Sequence, residues 1–154
     1  MKNLPIGDQT FIELIKPDTI YVDKTPYIYE LVKHRRGRYF LSRPRRFGKS
    51  LTCSTLEAIF SGNKELFKDL WIGQSDYEWQ ERPVISFDFS EISHKTPEAL
   101  LKGLHSALNN NAKQYNIDLK EEELTEKFAE LVTTLGKTLG PVVIIVDEYD
   151  KPIV

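Results

Sequence analysis

Cysteine is nearly absent from this chain. One thiol, Cys53, stands among 154 residues, so no internal disulfide can form and a reducing cytosol is the expected setting. Its place in a helical pattern favours a small apolar filler over a catalytic thiol. Histidine is scarce too: His34, His94 and His105 have no ligand spacing, which argues against structural zinc. Ser42, Ser50 and Ser54 are not accompanied by a His/Asp set, and no nucleophile-elbow motif occurs. No apolar run approaches bilayer length, and the N-terminus lacks the apolar stretch of a secretory signal, so a cytoplasmic protein without a membrane partner is expected. Repeats, low-complexity stretches and long linkers are also missing. What remains is 40% hydrophobic with a net charge of −2, the composition of one folded domain with a real core.

The most informative segment is residues 39–50, YFLSRPRRFGKS. An apolar run ends in a basic loop, the loop ends in Gly48, Lys49 and Ser50, and a helical pattern follows at once. This is the layout of a phosphate-binding loop. Backbone N–H groups wrap the phosphates, the lysine reaches their outer oxygens, and the hydroxyl ligates Mg²⁺. The helix dipole points its positive end at the same anion. The general pattern places a glycine where this chain has Arg43, and Pro44 pushes Arg43 towards extended geometry. The competing reading is a basic surface turn that starts a helix. The candidate nucleotide-binding set is Arg43, Pro44, Arg45, Arg46, Phe47, Gly48, Lys49, Ser50 and Leu51, and the N–H groups of Leu51 and Thr52 are candidates to complete the cradle.

The second informative segment is residues 141–150, PVVIIVDEYD. A β-branched run that closes on two carboxylates reads as a strand buried on both faces. Its acids then stand at the carboxyl end, where open α/β sheets bind ligands. Asp147 is the candidate metal carboxylate beside Ser50. Glu148 is the candidate base for the attacking water, with Lys49 as the second catalytic candidate. The competing reading is a core strand with solvated acids at its end.

Between these segments the pattern predicts a short helix from about 8 to 15 and a strand over 20–23. It predicts a helix from Thr25 and Pro26 towards Lys33, a strand over 38–42 and a helix from Gly48 to about Phe60. Leu66, Phe67, Leu70, Trp71 and Ile72 form an apolar cluster that reads as core. A strand over 83–89, a helix from Thr96 to about Tyr115 weakened by Asn109 to Asn111, and a helix from about 120 to 139 complete the series. This order implies an α/β layered fold with parallel strands.

The chain resembles the N-terminal part of the predicted AAA-ATPase-like proteins, P-loop ATPases that often carry a PD-(D/E)xK nuclease-like domain further on. The resemblance rests on LPIG at 4–7, YVDKT at 21–25, YIYEL at 27–31, FLSRPRRFGKS at 40–50, PVISFDFS at 83–90 and VDEYDKPI at 146–153. In that family the arginine-rich loop is the usual form. The resemblance implies a three-layer αβα P-loop domain with a mainly parallel sheet, spanning 1–154, with the P-loop at 43–50 and the acidic strand end at 142–148. It implies Mg²⁺-dependent ATP binding and hydrolysis, and places Tyr21 and Asp23 near the adenine. Such ATPases continue with a sensor strand, an arginine finger and a lid, which do not follow before Val154. The expected consequences are weak or absent turnover and open strand edges that invite a completing protein partner or self-association. Lys151 beside Asp150 is not a reason to expect nuclease chemistry in this stretch.

Lys33, Arg35, Arg36, Arg38, Arg43, Arg45, Arg46 and Lys49 crowd into one region. Beside a P-loop such a cluster reads as a phosphate-attracting funnel. A nucleic-acid-associated module is the functional competitor, although no clear interleaving of exposed aromatics is visible in the sequence. An inert remnant or interaction module is the third reading.

Overall fold

The computed structural model describes residues 4, 10–16, 19–34, 37–44 and 46–151. Its contacts divide the chain into two compact units, 1–81 and 82–154. No helix among the described residues is long and apolar enough to cross a membrane.

The first unit is helical. Helix α1 covers Phe11–Leu14, where the Glu13 carboxylate accepts from the Thr10 N–H and hydroxyl. Residues 8 and 9 of the expected helix lie outside the described residues. Helix α2 covers Thr25–Val32 and begins with proline in its first turn, as the sequence predicts. Helix α3 covers Lys49–Phe60, and the chain leaves it through Ser61 and a left-handed Gly62. Two 3-10 helices follow, Lys64–Phe67 and Trp71–Gln74. The Phe11 ring is fully buried, stacks on Phe67 at 4.5 Å and meets Tyr21 edge-on at 5.6 Å. Gly73 is fixed by space: a Cβ there would stand 2.0 Å from the Phe67 carbonyl oxygen.

Asp23 ties this unit together. One carboxylate oxygen accepts from the Thr25 N–H and hydroxyl at 2.8 and 2.7 Å, and the other accepts from the Trp71 N–H at 2.7 Å. The buried Thr25 hydroxyl accepts in turn from the Ile72 N–H. The start of α2 and the second 3-10 helix are thus held by one side chain.

The second unit is a β-α-α-β crossover. Strand β1 (Val84–Asp88) and strand β2 (Val143–Asp147) pair in parallel, from Val84 opposite Val143 to Asp88 opposite Asp147. Helix α4 covers Pro97–Gln114, capped by the Thr96 hydroxyl accepting from the Ala99 N–H. Helix α5 covers Leu124–Thr138. It starts later than expected because the Lys120 and Glu121 N–H groups turn back to the Glu130 carboxylate. The core is Ile85, Leu108, Ala112, Leu131 and Leu135, with four-residue spacing on both helices.

Several expectations are corrected. Residues 38–42 and 20–23 form no strand; among the described residues only Thr19 makes an isolated bridge. An apolar run becomes a strand when a neighbour takes its main-chain groups, and among the described residues the sheet contains only β1 and β2. Strand β2 is not buried on both faces: Ile145 is 7% exposed, whereas Ile144 and Val146 are 47% and 44% exposed. Continuous apolar sequence cannot report that helices cover one face only. Asn111 does not weaken α4. Its amide accepts from the Ser86 N–H at 2.8 Å and donates to the Ser86 and Ala107 carbonyls, both at 2.9 Å. One turn on, the Tyr115 hydroxyl accepts from the Val84 N–H at 2.7 Å and donates to the Val84 carbonyl at 3.1 Å.

Candidate functional site

The basic loop leads straight into α3. Arg46 and Gly48 have left-handed backbone, with φ of 66° and 75°. Gly48 is the N-cap, Lys49 the first helical residue, and no side chain caps this end. Its first bond is the Thr52 N–H to the Gly48 carbonyl at 2.9 Å, reinforced by the Thr52 hydroxyl at 2.8 Å. That corrects one expectation: the Thr52 N–H is spent inside the helix. The N–H groups of Lys49, Ser50 and Leu51 stand before that bond, among the orphan donors of a helix start. Ser50 is exposed and Lys49 and Leu51 are partly buried.

The space around Gly48 is open, since a Cβ there would meet nothing within 4 Å. Its requirement is conformational, not steric. Gly48→Ala is therefore expected to cost about 1–2 kcal/mol from the left-handed backbone alone. Gly136→Ala, inside α5 and equally open, is expected to stabilise by about 0.5–1 kcal/mol. Denaturant unfolding of the two variants checks the opposite signs.

Arg38, Arg43, Pro44 and Arg46 are exposed, and Arg45, with Arg35 and Arg36, lies outside the described residues. The same stretch exposes Tyr39 (56%), Phe40 (70%) and Phe47 (65%). Three exposed aromatics thus lie in the same stretch as the exposed arginines.

Tyr21 and Asp23 are engaged within the first unit. Burial pushes the Tyr21 phenol above its ordinary 10.0, a hydrogen bond with Thr55 partly offsets this, and the Asp23 charge adds to the rise. A phenol held neutral in the fold loses its proton more readily unfolded. Its contribution is complete below the unfolded value near 10 and declines as pH rises beyond it. Alkaline unfolding titrations should show Tyr21→Phe to be less sensitive above that point.

The acids occupy the end of β2 in the second unit. Asp147 is its last residue, and one of its carboxylate oxygens accepts from the Glu148 N–H at 2.9 Å. Glu148 is left-handed at φ 52°, and its carbonyl accepts from the Lys151 N–H in the turn that follows. A non-glycine residue in that region is a strained position of the kind found at functional sites. Oδ1 of Asp150 is buried without a hydrogen-bond partner among the described residues. The structure thus brings Gly48, Lys49, Ser50 and Leu51 together at one helix start, and Asp147 and Glu148 together at one strand end. Among the described residues no cluster of three or more His, Cys, Asp or Glu could hold a metal ion.

Among the described residues these features define an α/β protein with a small parallel sheet, five α-helices and a glycine-turned helix start. The family model described as predicted AAA-ATPase matches residues 5–154, so the chain belongs to that family. It is also similar to an uncharacterized protein in the vnfD 5′ region of Azotobacter chroococcum mcd 1, with 39% identity over 155 residues. The match covers 99% of this chain and 30% of that relative's length. No solved structure matches the chain.

Proposed function

We propose that this chain is the nucleotide-binding part of a P-loop ATPase, with Mg-ATP as its ligand. The supporting observation is the start of α3: an uncapped helix entered through left-handed Arg46 and Gly48, with Lys49 as its first residue. In this reading Gly48 lets the backbone approach the phosphates, and the N–H groups of Lys49, Ser50 and Leu51 donate to them. The Lys49 ammonium contacts the β- and γ-phosphates, and the Ser50 hydroxyl ligates Mg²⁺. Asp147 supports the metal and Glu148 activates water where turnover occurs. Arg43, Arg45 and Arg46 supply attraction for the polyphosphate. A P-loop NTPase-like three-layer architecture belongs to this reading, and hydrolysis is assigned to the longer family members.

The test is equilibrium unfolding of the chain alone, with ATP and EDTA, and with Mg-ATP. The expected result is an upward shift with Mg-ATP, reduced when the metal is chelated. A cooperative transition at the same midpoint in all three conditions would overturn the reading.

A second reading has its own observation. Exposed Tyr39, Phe40 and Phe47 among Arg38, Arg43 and Arg46 offer stacking faces beside phosphate-attracting charge, which suits single-stranded nucleic acid. Such binding would fall steeply with salt and would not need Mg²⁺.

A further inference from the structure

Helix α3 opens on a run of hydroxyls. Ser50, Thr52, Ser54 and Thr55 all fall in its first two turns, although serine and threonine are weak helix formers that compete for main-chain groups. Three of them bond backwards into the helix start. The Thr52 hydroxyl donates to the Gly48 carbonyl at 2.8 Å. The Ser54 and Thr55 hydroxyls donate to the Leu51 carbonyl at 3.1 and 2.7 Å. The exposed Ser50 hydroxyl makes no hydrogen bond among the described residues.

These bonds join in series and end at the helix start. A peptide group is planar and trans, so its carbonyl and the N–H of the next residue point in opposite directions and turn together. The Leu51 carbonyl shares its plane with the Thr52 N–H, which donates to the Gly48 carbonyl at 2.9 Å. The Gly48 carbonyl shares its plane with the Lys49 N–H, one of the orphan donors. Each donor on a carbonyl also polarises its peptide and strengthens the N–H at the far end. The series is anchored from behind. The Ser54 oxygen accepts from the N–H of the fully buried Phe11 at 3.0 Å. Thr55 is buried as well, and its hydroxyl is hydrogen-bonded with the Tyr21 phenol. No packing holds the peptide in front, since a Cβ at Gly48 would meet nothing within 4 Å.

We propose, on the nucleotide-binding reading of α3, that Thr52 is a positioning residue of the phosphate loop: its hydroxyl fixes the Gly48–Lys49 peptide so that the Lys49 N–H stays aimed out of the helix start. Ser54 and Thr55 hold the peptide behind it. Thr52 touches no phosphate and acts through the Gly48 carbonyl. Glycine leaves that peptide free to turn, and the second bond from Thr52 supplies the restraint that side-chain packing does not.

The experiment is calorimetric titration of the whole chain with Mg-ATP, beside urea unfolding without ligand. Thr52→Val keeps the branched shape and removes the hydroxyl. It is expected to bind Mg-ATP about tenfold more weakly, with an unliganded midpoint close to the native one. Thr52→Ser returns the hydroxyl and is expected to return native affinity. Ser61→Ala removes the same kind of bond at the other end of α3, where the Ser61 hydroxyl donates to the Ala58 carbonyl at 2.8 Å, and should bind as the native chain does. Native affinity in Thr52→Val, a Thr52→Ser variant as weak as Thr52→Val, or an equal loss in Ser61→Ala would each overturn the positioning role and leave the nucleotide reading standing. A native chain that takes up no Mg-ATP overturns both. Should Thr52→Val unfold, Thr52→Ala, with the better helix former, takes its place: the same loss is required, and native affinity overturns the role.

Discussion

Lys49→Ala is expected to erase nucleotide-dependent stabilisation while leaving the unliganded protein folded. Lys49 is the first residue of α3, its side chain makes no hydrogen bond or ion pair among the described residues, and alanine is at least as good a helix former. The unliganded unfolding midpoint should therefore stay close to that of the native chain. With ligand the two should separate. At free Mg-ATP a hundredfold above the dissociation constant, the native sequence gains about 2.7 kcal/mol from mass action alone. A variant that cannot hold the β- and γ-phosphates should gain close to nothing at the same concentration. Parallel urea titrations of both proteins, with and without Mg-ATP, make the comparison. An equal shift in both would remove Lys49 from the site, and with it the assignment of residues 43–51 as a phosphate loop. Lys49→Arg is the informative companion, because it keeps the charge but replaces a compact ammonium by a planar fork.

The second large effect concerns stability and lies far from any ligand. Asn111→Leu keeps approximate size and is a better helix former, so on propensity alone it should stabilise α4. We expect the reverse, a loss of about 2–4 kcal/mol, because the Ser86 N–H and C=O would face an apolar side chain in place of the amide. Asn110→Leu is the control. It stands one residue away, on the exposed side of the same helix, and should change stability by no more than about 0.5 kcal/mol. Thermal or denaturant unfolding of the pair distinguishes a main-chain bond lost at the sheet edge from a general effect on the helix.

Asn111 also shows where the sequence stops being legible. Three consecutive asparagines read as a weak stretch of helix because propensity sees only the local backbone. The hydrogen bonds that reverse this judgement run to Ser86, 25 residues away. Asp23 is a similar case: its partners Thr25 and Trp71 are a near neighbour and a residue 48 positions on, and only the first is visible locally. Where the signal is local, the reading and the structure agree closely. The Thr96 and Pro97 start of α4, the Gly48 start of α3, the existence of β1 and β2, and the acids at the end of β2 are readable from capping chemistry and periodicity, whereas the pairing of β1 with β2 is not. Residues 38–42 mark the opposite limit. Their composition is that of a strand, but a strand is a relation between two segments, and composition describes only one of them.

The Asp23 contact has a consequence for chain entropy. It closes a loop between two positions 48 apart in sequence, its own and Trp71, and inside that loop lie α2, the arginine-rich segment and the whole of α3. The entropic cost of closing a loop grows only with the logarithm of its length, about 0.6 kcal/mol for each doubling. Once the ends are bolted by a carboxylate, lengthening or reshaping the segment between Val32 and Lys49 changes that cost by a fraction of this amount. The segment between Val32 and Lys49 can therefore vary in length at little expense to the frame that carries it, while the two ends of the frame, Asp23 and the Trp71 turn, cannot.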